Sequence, residues 1–310
     1  MIHFPLADSL LAAQCERRAT PGLLEQLAAD ARVGVVEMDQ DGALAVDGDA
    51  LAVLPAPGVL DEGIWVFLGN AAGRDYLLAI GQAREGREYV GGRSLLSRVD
   101  GPTRGIAVTA AAIGNWHHTA PHCPRCGGAT EVRQAGWTRW CPTCRTEHYP
   151  RTDPAVIMAI TDAHDRVLLA HARHFPQRRF SVLAGYVEPG ESLEAAVVRE
   201  TAEEVGLRVT DVTYRGSQAW PFPRSLMLAF TARVSGTPTP RVDGQELTQA
   251  RFFSRAELAA ALGDGSVLLP PPASAAAALL ERWYGAPLPR GGTPSTGAPH
   301  RVGGAGHDGA

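Results

Sequence analysis

From Val33 to Ile80 the chain alternates short apolar runs with Gly, Asp and Pro breaks: Val33 to Met38, Ala43 to Val46, Leu51 to Leu54, Ile64 to Leu68 and Tyr76 to Ile80. Runs of this length, bounded by turn formers, predict strands, and their close spacing predicts a small antiparallel domain. An Ala-rich stretch from about Gly105 to His118, closed by Trp116, predicts a helix leading out of it. Beyond Pro150 the pattern changes. Strands are predicted at Ala155 to Thr161, Val167 to Ala172 and Phe180 to Ala184, then a turn and one strong helix from Leu193 to Val205. Further strands at Val209 to Tyr214, Ser225 to Val234 and Ala250 to Phe253, with helices at Arg255 to Leu262 and Ser274 to Tyr284, suggest an α/β/α sandwich. No internal repeat is visible. The expected class is therefore α+β: a β-rich domain with its linking helix over 1–120, a cysteine segment over 121–150, the sandwich over 151–285 and a tail over 286–310.

Composition narrows the class. At 310 residues, 45% hydrophobic and 20% charged, the chain has the make-up of a globular protein of two or three domains. Its 29 basic and 33 acidic side chains leave a net charge of −4, too small a bias to imply a nucleic-acid or membrane surface. No apolar run reaches the eighteen or so residues of a membrane span, and Met1 to Pro21 lacks a basic segment ahead of its apolar run, so a cytoplasmic protein without a membrane partner is expected. The tail from Ala286 holds seven Gly and four Pro and cannot repay the entropy of ordering, so it is expected to be disordered, with His300 and His307 inert.

Four of the five cysteines fall in two pairs, Cys123-Pro-Arg-Cys126 and Cys141-Pro-Thr-Cys144, separated by fourteen residues. Two such knuckles present four thiolates tetrahedrally to one zinc ion, a closed site that leaves no position for water or substrate and is therefore structural. Cys15 reads as a small buried side chain. Arg125, Arg133, Arg139 and Arg145 around Trp137 and Trp140 keep open an RNA-binding role for the same segment, although Glu131 and Glu147 dilute the charge.

The segment richest in chemistry runs Gly185-Tyr-Val-Glu-Pro-Gly-Glu191, seven residues, then Arg199-Glu200-Thr201-Ala202-Glu203-Glu204-Val205-Gly206-Leu207. Glu191 and Ser192 stand where a helix begins, and Gly206 where one ends. Leu193, Ala196, Val197, Ala202 and Val205 are expected to face the sheet. Glu200, Glu203 and Glu204, at i, i+3 and i+4, share another face. Three crowded carboxylates raise one another's pKa and call for cations, hard divalent ions with oxygen ligands above all. Arg199 is placed to pair with Glu203 or to reach back to Glu191 and brace the loop.

Gly185, Glu191, Arg199, Glu200, Glu203, Glu204, Gly206 and Leu207 match the box of the Nudix hydrolases, G-x5-E-x7-R-E-U-x-E-E-x-G-U, which this segment therefore resembles. Thr201 departs from the usual aliphatic residue, at a position expected to face the core. The resemblance implies metal-dependent hydrolysis of a nucleoside diphosphate linked to another group. It implies Glu200, Glu204 and the carbonyl of Ala184 as ligands of magnesium or manganese, two or three ions per site, and Glu203 as one candidate for the base.

Beyond the box, Ser217-Gln218-Ala219-Trp220-Pro221-Phe222-Pro223-Arg224-Ser225 is an aromatic and proline run, fit either to stack a base or to fill a core edge. In this context it resembles the NADH pyrophosphatase subfamily, which carries a four-cysteine zinc ribbon directly before the Nudix domain. The likeness extends through Tyr149-Pro150-Arg151, Asp153-Pro154-Ala155 and Leu268 to Pro272, covering about residues 116 to 284. Residue by residue it implies a nucleotide pocket lined by Gln218 to Ser225, substrate contacts from Tyr149 and Ala276, Glu246 as a metal ligand outside the box, and a homodimer. Some members carry an acidic contact five residues before the third cysteine, where this chain has Gly136.

The activity so implied is cleavage of NADH or NAD+ to AMP and the nicotinamide mononucleotide, extending to removal of an NAD cap from RNA. A Nudix hydrolase of ADP-ribose or dinucleoside polyphosphates is the alternative within the class. A zinc-ribbon nucleotide- or RNA-binding module without activity is the alternative outside it.

Overall fold

The computed structural model describes residues 2–7, 10–99, 101–242 and 244–289. His300, His307 and most of the expected tail lie outside them. The first domain holds α1 (Leu23–Ala28), β1 (Gly34–Met38), β2 (Ala43–Asp47), β3 (Ala50–Leu51), β4 (Leu54–Pro55), β5 (Ile64–Ala71), β6 (Arg74–Ile80), β7 (Glu88–Gly91), α2 (Gly92–Leu95) and α3 (Gly101–Thr119). A three-stranded ribbon follows, β8 (Glu131–Arg133), β9 (Thr138–Cys141) and β10 (Thr146–His148). The last domain contains β11 (Asp153–Thr161), β12 (Val167–Ala172), β13 (Leu183–Tyr186), α4 (Leu193–Val205), β14 (Val209–Trp220), β15 (Ser225–Val234), β16 (Leu247–Phe253), α5 (Arg255–Gly263) and α6 (Ala275–Tyr284). Among the described residues no helix is long and apolar enough to cross a membrane.

In the last domain the strand order is β14-β15-β11-β12-β16, with β13 paired to β11. β11 is buried on both faces, as its unbroken apolar run requires. Val156, Met158 and Ile160 pack with Ala196, Val197 and Val205 of α4, while Ile157 and Ala159 pack with Leu258 of α5 and Leu279 and Leu280 of α6. That alternation makes the α/β/α sandwich. Leu288, assigned by sequence to the tail, is buried on the α6 side.

The first domain departs from expectation. Its sheet is mixed, because β1 and β6 run parallel from Gly34 opposite Tyr76 to Met38 opposite Ile80. The run expected as one strand, Leu51 to Leu54, divides into β3 on β2 and β4 on β1, and the strand expected over Phe180 to Ala184 is regular from Leu183 to Tyr186. α1, β7, α2 and the ribbon strands are too short to register as periodic patterns.

The two large sheets also share a topology. β1 pairs antiparallel with β2 and β4 and parallel with β6, as β11 does with β12, β13 and β15; β5 joins β6 as β14 joins β15, and β7 joins β2 as β16 joins β12. Between β4 and β5 lies a short loop, 56–63, where the last domain has α4. The first domain is thus the same scaffold without the glutamate helix, a repeat of topology that the sequence does not display.

The ribbon is fastened to the first domain at Gly136. A Cβ there would lie 2.6 Å from Val66 Cγ2 and 2.8 Å from the Trp65 carbonyl oxygen, so the departure from an acidic residue follows from the seam with β5. Trp137 Nε1 donates to the Phe67 carbonyl at 2.7 Å, and the Arg18 guanidinium stacks on the Trp137 ring at 3.5 Å. Behind it, buried His117 of α3 bridges Gly136 O, at 2.8 Å from Nε2, and Arg139 Nη1, at 2.9 Å from Nδ1. Arginine can only donate, so Nδ1 accepts and the proton sits on Nε2, donated to Gly136.

Burial, helped by the neighbouring Arg139 charge, lowers the His117 pKa to about 4. The folded state therefore prefers the neutral ring, and the unfolded chain takes up the proton first as pH falls. The resulting stability is complete above about pH 6.5 and is lost progressively towards pH 4, amounting to about 2 kcal/mol by pH 5. His117→Gln should lose less stability between pH 7 and pH 5 in denaturant titrations than the parent; an equal loss would show that another group carries the acid sensitivity.

Candidate active site

The loop from β13 into α4 is set by local chemistry. Ser192 caps the helix by accepting from the Ala195 N–H at 3.2 Å, and Gly206, at φ 66°, ends it with its N–H on the Ala202 carbonyl. Thr201 faces the core, fully buried, with its hydroxyl on the Val197 carbonyl at 2.7 Å, so the departure from the box leaves no polar atom unmet. Ala202, expected on the core face, is exposed instead.

Arg199 organises the acidic face. Its Nε and Nη2 form a two-point fork on Glu191, at 2.9 and 2.8 Å, and Nη2 also donates to the Tyr186 carbonyl at 2.9 Å. Nη1 meets Glu200 at 2.8 Å and Glu203 at 3.1 Å. Both sequence expectations for Arg199 are met at once, and three carboxylates close on one guanidinium, whose own pKa rises in consequence.

Glu200 lies against the β13 backbone, since a Cβ on Gly185 would stand 1.9 Å from its carboxyl carbon. Burial raises the Glu200 pKa, with repulsion from Glu203 and Glu246 adding to it and Arg199 opposing it. Glu204 is 8% exposed and Glu203 far more open, with 62% of its side chain exposed. All four glutamates line one cleft of about 940 Å³, together with Ala184, Gly185 and Arg199. Half-buried carboxylates carrying excess negative charge beside a strand carbonyl form a hard-oxygen donor set, which suits divalent cations. Of the ligands the resemblance implies, Ala184, Glu200, Glu204 and Glu246 all line this cleft.

The cleft also has an aromatic lining. Trp220 and Phe222 meet edge to face, ring centres 5.2 Å apart, and line the cleft with Ser225. The first domain supports this wall: Asn115 Nδ2 donates to the Pro221 carbonyl at 2.7 Å, Arg93 lies 5.8 and 5.6 Å from the two ring centres, and a Cβ on Gly92 would meet Phe222 at 3.0 Å.

Other expected contacts fall elsewhere in the single chain. Gln218 is buried, its amide engaged by the Leu6 N–H at 3.3 Å and the Ala273 carbonyl at 3.0 Å. Ala219, Pro221, Pro223 and Arg224 do not line the cleft, and Arg224 pairs with Asp153 at 2.7 Å. Ala276 is buried in the first turn of α6, and Tyr149, 63% exposed, donates to Glu147 at 2.8 Å. Glu191 and Gly206 shape the loop and helix end without lining the cleft. Sequence reasoning passed over Tyr186, whose hydroxyl lies 3.2 Å from Ser225 Oγ, and His174, Phe175 and Met227, which also line the cleft. Tyr186 directly follows the box glycine, at a position where the motif sets no residue type.

The second centre is the ribbon. The sulfurs of Cys123, Cys126, Cys141 and Cys144 all lie within 4.8 Å of one another, with Cys126 and Cys141 at 3.6 Å. Tetrahedral zinc at about 2.3 Å from each sulfur requires sulfurs roughly 3.8 Å apart, so the cluster fits the ion. Left-handed residues follow each knuckle, Gly127 at φ 72° and Arg145 at φ 54°. Burial works to raise the Cys123 thiol, but the N–H groups of Arg125 and Cys126 outweigh it and bring it down to about 6; Cys144, hydrogen-bonded to Cys126 and partly desolvated, is pushed up to about 12. Four thiols this close do not ionise together without a cation. Cys15, the remaining cysteine, is exposed rather than buried.

Two predictions follow from these contacts. Gly185→Ala should displace the Glu200 carboxylate and weaken Mn2+ binding and turnover at least about tenfold with zinc content intact; unchanged Mn2+ affinity by titration would contradict the packing argument. Cys126→Ser should lose zinc by elemental analysis and unfold or aggregate at lower temperature, and a variant that keeps its melting temperature without zinc would refute a structural role.

Comparison with known proteins matches residues 118–149 to the NADH pyrophosphatase zinc ribbon domain and 151–269 to the NUDIX domain. The chain is 39% identical over 233 residues to the NAD-capped RNA hydrolase NudC of Mycobacterium tuberculosis, covering 70% of this chain and 74% of that one. It is 45% identical over 165 residues to Nudix hydrolase 19, chloroplastic, of Arabidopsis thaliana, covering 51% of this chain and 37% of that protein. Among solved structures, a NUDIX hydrolase from Nitrosomonas europaea aligns with a TM-score of 0.40 and 23% identity, over 54% of this chain and 94% of that one. The glutamate helix, the cysteine ribbon ahead of it and this identity over most of a relative's length together place the protein in the family of the NudC-type zinc-ribbon Nudix hydrolases.

Proposed function

We propose that the chain hydrolyses the pyrophosphate bond of NADH and NAD+, giving AMP and NMNH or NMN, and removes NAD caps from RNA 5′ ends by the same cleavage. The observation that carries this reading is one cleft lined both by Glu200, Glu203, Glu204 and Glu246 and by the Trp220 and Phe222 rings. Its volume of about 940 Å³ suits a dinucleotide. The names and identity of the NudC relatives support the same substrates.

Magnesium or manganese, two to three ions per site, would neutralise the diphosphate and lower the pKa of the attacking water. Glu200, Glu204, Glu246 and the Ala184 carbonyl would hold the cations, Arg199 fixes the helix carboxylates, and exposed Glu203 is the candidate to take a proton from water. The aromatic wall orients a base so that the diphosphate lies over the carboxylates. The resemblance implies substrate contacts from Gln218 to Ser225, Tyr149 and Ala276, several of which do not line this chain's own cleft. A homodimer reconciles the two: Tyr149, Tyr186 and Tyr214 are large and exposed, and a second copy would cover such residues. Reduced, metal-bound thiols suit a cytoplasmic setting. The division into 1–120, 121–150, 151–285 and a tail is retained as the domain plan.

Incubating the purified protein with NADH, NAD+, ADP-ribose and NAD-capped RNA in magnesium, and identifying products, tests the substrate class. AMP with the mononucleotide is expected, and preferential turnover of ADP-ribose would overturn the assignment. Glu204→Gln should cost on the order of a hundredfold or more in kcat/KM while folding and zinc content stay unchanged; near-parental turnover would remove Glu204 from the ligand set.

A further inference from the structure

β16 does not enter the cleft as a regular strand. Its ladder with β12 runs in register from Val167 opposite Phe253 to His171 opposite Gln249, then shifts so that Ala172 faces Leu247. Thr248 is the extra residue of this bulge, its hydroxyl donating to the His171 carbonyl at 3.2 Å. A bulge turns the strand and re-aims what precedes it. The residue just ahead of β16 is Glu246, which lines the cleft with the helix glutamates.

Directly past β12, Arg173 engages three consecutive carbonyls of that incoming segment. Its backbone N–H donates to Glu246 O at 2.8 Å, Nε to Gln245 O at 3.0 Å and Nη2 to Gly244 O at 2.6 Å. A planar guanidinium holds two neighbouring carbonyls at once, which the single point charge of lysine does not reproduce. The segment otherwise has no strand or helix to fix it, since β16 begins only at Leu247. Glu246 lines the same cleft as Glu200, Glu203 and Glu204 of α4.

We propose that Arg173 is a positioning residue that clamps the 244–246 backbone so that the Glu246 carboxylate is presented to the cations of the α4 carboxylates. The proposal rests on the reading of Glu246 as a ligand, and the experiment keeps the two apart. Arg173 also lines the cleft, so a role as a point charge on the substrate diphosphate is the rival to be separated.

The test uses full-length zinc-loaded protein and its Arg173→Met, Arg173→Lys, Glu246→Gln and Arg173→Met/Glu246→Gln variants. Three measurements are made: Mn2+ binding without substrate, from the free-ion electron paramagnetic resonance signal; hydrogen exchange of the 244–248 amides in zinc-loaded protein free of Mg2+ and Mn2+; and kcat and KM on NADH. Arg173→Met and Arg173→Lys should both weaken Mn2+ binding by about 10- to 100-fold, the range found when groups that orient metal ligands are removed. Both should speed exchange at 244–248 and lower kcat more than they raise KM. On the Glu246→Gln background, Arg173→Met should add little, because the two residues act as one unit.

Full recovery by lysine, with KM the parameter affected, would overturn the clamp in favour of the point charge. Unchanged exchange at 244–248, or additive losses in the double variant, would overturn it as well. If Glu246→Gln alone leaves Mn2+ binding and turnover intact, the ligand reading fails and the proposal falls with it. A parental result for Arg173→Met beside a defective Glu246→Gln sinks the clamp alone. Melting temperature and zinc content, expected to be unchanged at this exposed position, separate these outcomes from misfolding.

Discussion

Glu200, Glu203 and Glu204 crowd one turn of α4 with Glu246 approaching them, and in a half-buried cleft such like charges drive one another towards protonation. A cation-binding cleft fails if its carboxylates escape into water or take up protons instead. Arg199 opposes both, joining Glu191, Glu200, Glu203 and the Tyr186 carbonyl through a single planar group. It ties loop, strand and helix together while leaving the cleft with more negative than positive charge. Gly185 is the steric half of the same arrangement, since any side chain there would occupy the space of the Glu200 carboxylate.

A site built this way needs its aromatic wall held as firmly, and here the first domain acquires a purpose that its own residues do not announce. It repeats the pairing pattern of the catalytic sheet but has only the 56–63 loop in place of α4, so it lacks the element that carries the carboxylates. What it provides is support. Trp220, Phe222 and Ala273 pack into its core, Asn115 fixes Pro221, and Leu6 meets Gln218 from the other side. The aromatic run thus has one edge lining the cleft and the other packed into the neighbouring domain.

What the sequence disclosed follows from where the constraints are local. α4 was legible to the residue at both ends because capping, periodicity and charge spacing all act within one turn. β11 and β15 were legible because strands buried on both faces read as continuous apolar runs. The cysteine ribbon was legible because four thiolates at knuckle spacing have few other uses. The mixed first sheet, the β12–β16 bulge and the buried amide of Gln218 were not, since each is decided by a partner far away in the chain. Tyr186 and Arg173 were missed for a related reason: one stands at a box position without a required type, and the other works through backbone carbonyls, which leave no mark in the sequence.

The ribbon illustrates how a structural metal and a catalytic cleft are kept chemically apart while remaining mechanically joined. Four thiolates closed around one position leave no place for a reacting group, so the ribbon's contribution must be shape. That shape is transmitted at Gly136, pressed on β5 and bonded to His117, and at Arg139, which holds the other side of the same imidazole. α3 carries both His117 and Asn115, and Asn115 holds the Pro221 carbonyl of the aromatic wall. One helix therefore joins the ribbon seam to the wall of the cleft. Losing zinc would then be felt at the cleft through α3, with no thiol approaching the substrate.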